Sequence, residues 1–227
     1  LAGLHVALDV GHSLASGGAL SARGRSEHEF NRDTALALAA ALRRAGARVS
    51  VINETGTLTG LAERPQRAQR LGAHAFVSIH HDAVNDRYLE TWEFEGKKLS
   101  YCDRFRGPSV FCSKKNPRAE RSRTLALELG AALVEAGFTP TLHHAEAIPG
   151  ENRPLLDRRT GVYEFTDLVV AKAASLPSVL LECGVIVHRE EELEVQTEAY
   201  RHRLATALAV ALDRARAKGA FGRFKAR

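Results

Sequence analysis

One punctuation occurs three times in this chain and constrains its fold more than any other feature. A helical apolar period runs into a glycine, and a β-branched or apolar run follows. In 27–45 the positions Phe30, Thr34, Ala37, Leu38, Ala41, Leu42 and Ala45 recur every three or four residues, the spacing of one buried helix face. Ser26 with Glu29 three residues later is a capping-box signature, and Gly46 suits the left-handed position after the last turn. A strand is expected at 47–52. The pattern returns as helix 61–71, Gly72 and strand 75–80, and again as helix 118–136, Gly137 and an apolar stretch over 138–143. Further strands are expected at 5–9, 109–112, 168–171 and 178–181, and a final helix at about 190–217. Segments 84–118 and 145–164 interrupt the rhythm, the first as a hairpin or long loop and the second as a long loop. Strands alternating with helices require crossover connections. The expectation is a single α/β domain over 1–218, with a mostly parallel or mixed open sheet, helices on both faces and a flexible basic tail over 219–227.

Composition narrows the functional classes. Apolar residues make up 44% and charged residues 26%, which fits a packed globular domain and not a disordered chain. No run of about 18 uncharged apolar residues occurs, so no membrane span is expected. The richest stretch, 168–187, is broken by Lys172, Pro177 and Glu182. The net charge of +5 comes from scattered residues and aromatic content is 6%, whereas nucleic-acid surfaces combine a basic stripe with stacking rings. No nucleic-acid partner is expected. The chain opens Leu1-Ala2-Gly3 without Met and shows no signal peptide, as a processed or trimmed chain would. Of the three cysteines, Cys183 reads as a buried small hydrophobe, and Cys102 and Cys112 flank Arg106-Gly107-Pro108 as a candidate disulfide across a hairpin. None has Cys-x-x-Cys spacing, which argues against a thiolate zinc cluster.

The chemistry gathers at strand ends. The first strand runs into Asp9-Val10-Gly11-His12, the third into Ser78-Ile79-His80-His81-Asp82, and the last into Leu181-Glu182-Cys183-Gly184. In a parallel sheet these ends share the rim at which open α/β folds bind ligands. Glu27 opens the helix that follows the first strand and starts at the same rim. Two histidines and a carboxylate suit catalytic zinc, with one position left for water whose pKa the metal lowers. A carboxylate that is not a ligand can take that water's proton. His12, Glu27 and His80 are the candidate ligands and Glu182 the candidate base. Taken singly, a histidine at a strand end is ordinarily a solvated turn residue, and Glu27 in a first turn complements the helix dipole. An acid inside Val179-Leu180-Leu181-Glu182-Cys183 is harder to discount, because burying it without a partner is costly. Strand alternation turns His81 away from His80, so one ligand is expected from the pair.

With these residues in place the chain resembles the zinc-dependent N-acetylmuramoyl-L-alanine amidases of amidase family 3. Asp9-Val10-Gly11-His12 is similar to the family's D-P-G-H segment, with Val10 where Pro is usual. Glu27-His28-Glu29-Phe30-Asn31 resembles its E-K-x-x-N helix start. Leu61-Ala62-Glu63-Arg64, Ala68 and Ser78-Ile79-His80 follow its L-x-x-R…A-N…S-I-H stretch, with His81 where Ala is common. Leu176-Pro177-Ser178-Val179-Leu180-Leu181-Glu182-Cys183-Gly184 matches its P-x-V-L-x-E-x-G segment.

The resemblance implies an α/β zinc hydrolase of bacterial cell walls, periplasmic or extracellular, that cleaves the amide between N-acetylmuramic acid and L-alanine. It gives zinc to His12, Glu27 and His80 and catalysis to Glu182. Peptidoglycan is the implied partner; the sequence does not specify an activator protein. Segment 84–108 lacks the apolar helical period of the inhibitory helix inserted in some members. Arg64 and Arg153 read as solvated surface cations, with stem-peptide carboxylates as the alternative contact. The rival functions are a zinc carboxypeptidase-like hydrolase and a non-catalytic cell-wall binding module.

Overall fold

Every residue of the first strand, β1 (His5–Val10), is buried. Such a strand must lie inside a sheet covered on both faces, and the computed structural model, which describes residues 1–222, places it there. After β1 come α1 (Glu27–Arg44), β2 (Arg48–Ile52), α2 (Glu63–Arg70), β3 (Ala75–Asp82), β4 (Glu90–Phe94), β5 (Lys97–Tyr101) and β6 (Ser109–Cys112). Then follow α3 (Ala119–Glu135), β7 (Leu155–Asp157), β8 (Val162–Glu164), α4 (Val169–Lys172), β9 (Ser178–Val185), α5 (Glu191–Glu194) and α6 (Glu198–Ala217).

Seven strands form one sheet in the order β2-β1-β3-β9-β6-β8-β7. β2, β1, β3 and β9 run parallel, β6 is antiparallel to β9, and β7 is antiparallel to β8, so the sheet is mixed. Alternate side chains divide the core in two. Val6, Leu8, Val10, Val77, Ile79 and Leu181 pack under α1, α3 and α6, against Phe30, Leu38, Leu125, Leu129, Leu208 and Leu212. Ala7, Phe76, Leu180 and Phe111 face the other way, towards Ala68 of α2 and Val170 of α4. The expected α/β class with helices on both faces is the observed one. The Glu29 carboxylate accepts from the Ser26 backbone N–H at 3.2 Å and its hydroxyl at 2.7 Å, so the capping box forms at the start of α1.

Several expectations need correction. Residues 168–171 form no strand: Val169–Lys172 is helical, because both edges of β9 are already taken by β3 and β6. No strand forms over 138–143 either. Pro140 cannot donate to a ladder, and the segment passes into a single 3₁₀ turn, His143–Ala145. The expected loop 145–164 contains β7 and β8, which extend the sheet edge. The final helix is interrupted before Thr197, whose hydroxyl caps α6 by accepting from the Tyr200 N–H at 3.2 Å. The hairpin is present as β4–β5. Cys102 and Cys112 are both free and buried. Cys102 packs with Val84, Val185 and Val187, whereas Cys112 belongs to the main core, so no bridge joins them. Ala220 and Phe221 pack into that core, and 223–227 of the expected tail lie outside the described residues. Among the described residues no helix is long and apolar enough to cross a membrane.

Candidate metal centre and the cavity beside it

His12, Glu27 and His80 converge at the carboxyl ends of β1 and β3 and the first turn of α1. Glu27 Oε2 is 2.9 Å from His12 Nε2, and Glu27 Oε1 is 2.9 Å from His80 Nδ1. Donors around a tetrahedral zinc with bonds of about 2.0–2.1 Å stand about 3.3 Å apart. The three donor atoms here lie within 4.8 Å of one another, and two imidazoles with a carboxylate suit this borderline metal. Gly18 lies against the cluster: a Cβ there would stand 2.3 Å from Glu27 Oε2 and 2.8 Å from His12 Nε2. Gly11 likewise leaves room for the His80 ring, since a Cβ would meet its Nε2 at 2.5 Å.

The side chains of this cluster are held from behind. Glu27 Oε1 accepts from Asn31 Nδ2 at 3.1 Å and from the His81 backbone N–H at 3.3 Å, and Oε2 accepts from the Ala19 N–H at 3.2 Å. Burial pushes the Glu27 carboxyl up, but the hydrogen bonds and charges of His12 and His80 outweigh it and hold the group ionised far below the usual range. His81 faces α1, as alternation requires, and its Nδ1 is 2.8 Å from Asn31 Oδ1. Burial lowers its pKa to about 3, so it stays neutral. His81 lies outside the cluster of three donors; it orients Asn31, which orients Glu27.

His12 occupies the left-handed region at φ 62°, a conformation that costs a non-glycine residue about 1–2 kcal/mol and persists where neighbours over-determine it. Those neighbours are Arg64 and Asn53. Asn53 Nδ2 donates to the Val10 carbonyl at 2.8 Å and the His12 carbonyl at 2.7 Å. Arg64 donates to the same two carbonyls, at 3.1 Å for Val10, and to that of Leu58 at 2.8 Å. Arg64 is 1% exposed, so the reading of it as a solvated surface cation is wrong. Its guanidinium also sits 3.7 Å from the buried Asp9 carboxylate.

Glu182 lies across the ladder from His80, on the adjacent parallel strand. Its Oε2 is buried and has no hydrogen-bond partner. Burial, then the charges of Asp82 and Glu27, push its carboxyl well above the usual range. A carboxyl so placed favours its protonated form more than a solvated one does. The group lines a cavity of about 290 Å³ whose walls include Asp82, His144, Glu151, Arg153 and Phe165. Arg153 stacks over Phe165, 3.8 Å from the ring centroid, at this cavity and not on open surface.

The structure gathers His12, Glu27 and His80 in one cluster and sets Glu182 across the ladder from His80. Sequence reasoning quoted Asn31 in a motif without giving it a role, and it missed Asn53 and the structural role of Arg64. It also missed a second cluster: Asp82, His143 and His144 meet within 4.8 Å. The adjacent pair His143-His144 before a long loop was the available signal for it.

Comparison with known proteins gives a consistent result. The family model Amidase_3, described as N-acetylmuramoyl-L-alanine amidase, matches residues 6–214. N-acetylmuramoyl-L-alanine amidase AmiA of Salmonella typhimurium is 28% identical over 214 residues, spanning 90% of this chain and 73% of that protein. AmiA of Escherichia coli is 27% identical over the same shares. Among solved structures, the apo form of the N-acetylmuramyl-L-alanine amidase Ami1 from Mycobacterium abscessus superposes with a TM-score of 0.73 at 21% identity, covering 94% of this chain and 98% of that one. Ami1 from Mycobacterium smegmatis gives 0.71 at 24% identity, covering 93% and 96%. At those identities the structural likeness carries the fold.

Proposed function

Because the chain belongs to the Amidase_3 family of N-acetylmuramoyl-L-alanine amidases, we propose that it hydrolyses the amide between N-acetylmuramic acid and L-alanine in bacterial peptidoglycan. His12, Glu27 and His80 are the zinc ligands in this reading and Glu182 is the base. The substrate sets the place of action in the cell wall, periplasmic or extracellular. The observation that carries the assignment is the placement of an unpartnered, proton-avid carboxyl, Glu182, across from His80 and beside the three donors.

His12, Glu27 and His80 would hold the zinc, which would supply an acidified water and polarise the scissile carbonyl. Glu27 keeps its charge and fixes the two imidazoles, with Asn31 and the His81 N–H holding its carboxylate in place. Glu182 accepts the proton of the attacking water and returns it to the departing amide nitrogen as that bond breaks, so one carboxyl serves as base and then acid.

Digestion of purified peptidoglycan followed by mass analysis tests the reading. The expected products are glycan strands with a free lactyl carboxyl and stem peptides with a free L-alanine amine. Release of a terminal amino acid instead would identify a carboxypeptidase, and no turnover by zinc-loaded protein would leave a binding module. Either result overturns the proposal.

A further inference from the structure

Asp82 ends β3 two residues beyond His80, and it faces a pair of histidines that the reaction above does not use. Asp82 Oδ2 is 2.7 Å from His144 Nε2 and 3.5 Å from His143 Nε2. His143 is 2% exposed, and its Nε2 is a buried nitrogen with no hydrogen-bond partner of ordinary geometry. The far nitrogen of each ring is held: His144 Nδ1 is 2.9 Å from Glu151 Oε2, and His143 Nδ1 is 2.8 Å from Thr141 Oγ1. An imidazole that donates Nδ1–H to a carboxylate or hydroxyl presents its Nε2 lone pair outward, the arrangement found behind metal-bound histidines.

We propose that Asp82, His143 and His144 form a second divalent-cation site, suited to zinc or a similar transition ion, with Glu151 and Thr141 orienting its imidazoles. Two imidazole nitrogens and one carboxylate oxygen are the same donor set as in the first cluster. Both nitrogens lie close to one oxygen, and a cation between them satisfies the otherwise orphaned His143 Nε2. Water or a substrate oxygen completes the shell from the cavity that Asp82, His144, Glu151 and Glu182 line. The competing occupant is a proton: His144 charged between Asp82 and Glu151, with His143 held through Nδ1 by Thr141 and its Nε2 3.5 Å from Asp82.

The test is metal stoichiometry. Wild-type protein is dialysed against zinc-buffered solution, bound zinc is counted by mass spectrometry, and H12A, H144A and H143A are treated alike. The expected result is two zinc per chain in the wild type, one in H12A and one in H144A or H143A. A single equivalent that is lost in H12A and kept in H144A overturns the second site and leaves the first intact. A single equivalent kept in H12A and lost in H144A supports the second site and overturns the ligand assignment of the first. Two equivalents that persist in both H143A and H144A overturn the proposal. Should the histidine variants fail to fold, the wild-type titration still decides, since an end point at one equivalent beside an Asp82→Asn variant with the same end point is incompatible with a second site.

Discussion

Replacing Arg64 with Met should destabilise the protein and weaken its hold on zinc, although Arg64 contacts no proposed ligand side chain. The substitution keeps the aliphatic stem and removes the guanidinium. Three carbonyls lose a charged donor, but those of Val10 and His12 retain Asn53, leaving only that of Leu58 without its side-chain donor. Asp9 loses the guanidinium at 3.7 Å yet keeps the Ser78 hydroxyl at 2.7 Å. Breaking a buried ion pair costs about 3–5 kcal/mol, and the two surviving contacts place this case at about 3 kcal/mol. For a domain of this size that is a fall in Tm of about 6–12 °C. The second effect is on His12. Holding a non-glycine residue left-handed costs about 1–2 kcal/mol, and with half of the clamp gone zinc affinity should drop about two- to fivefold. Thermal unfolding with and without chelator separates the two effects, because bound zinc adds its own stabilisation. An R64M protein that melts within about 2 °C of wild type and binds zinc with equal affinity would refute the clamp.

E182Q should bind zinc normally and turn over peptidoglycan at least about 100-fold more slowly; near-normal release of stem peptide removes Glu182 from the reaction, and loss of zinc makes it a ligand. H80A should lose the metal of the first site, whereas H81A should keep it with affinity reduced about 10–100-fold through Asn31; metal analysis that reverses this order would exchange their roles. Asp9 is raised from its ordinary 3.8 to about 6, first by burial, with Arg64 and Ser78 opposing. Between those values the folded state binds more protons than the unfolded one, so Asp9 lowers stability as pH rises from about 4 to 7, by about 3 kcal/mol in all. Denaturant titrations of wild type and D9N across that range should diverge by this amount as pH rises, and parallel curves would contradict the raised value.

Local pattern was enough to locate β1, α1, β2, α2, β3, α3 and β9 to within a few residues. Apolar periodicity and glycine punctuation are properties of neighbouring residues, and each of these elements buries its face in the main sheet. The same pattern brought His12, Glu27, His80 and Glu182 to one rim, because parallel strands put their carboxyl ends together whatever the details of packing. Tertiary structure decided the rest. The apolar run at 169–172 is a helix because β9 had no free edge. Cys102 and Cys112 stay apart because they fall in different clusters. Arg64, which a helix-surface reading leaves in solvent, is buried because the turn at Val10 to His12 presents carbonyls that its guanidinium, reaching in from α2, shares with Asn53. Asp82 and His144 are 62 positions apart in the chain and meet at 2.7 Å. Contacts of that range depend on how the sheet brings distant segments together, and no local spacing encodes them.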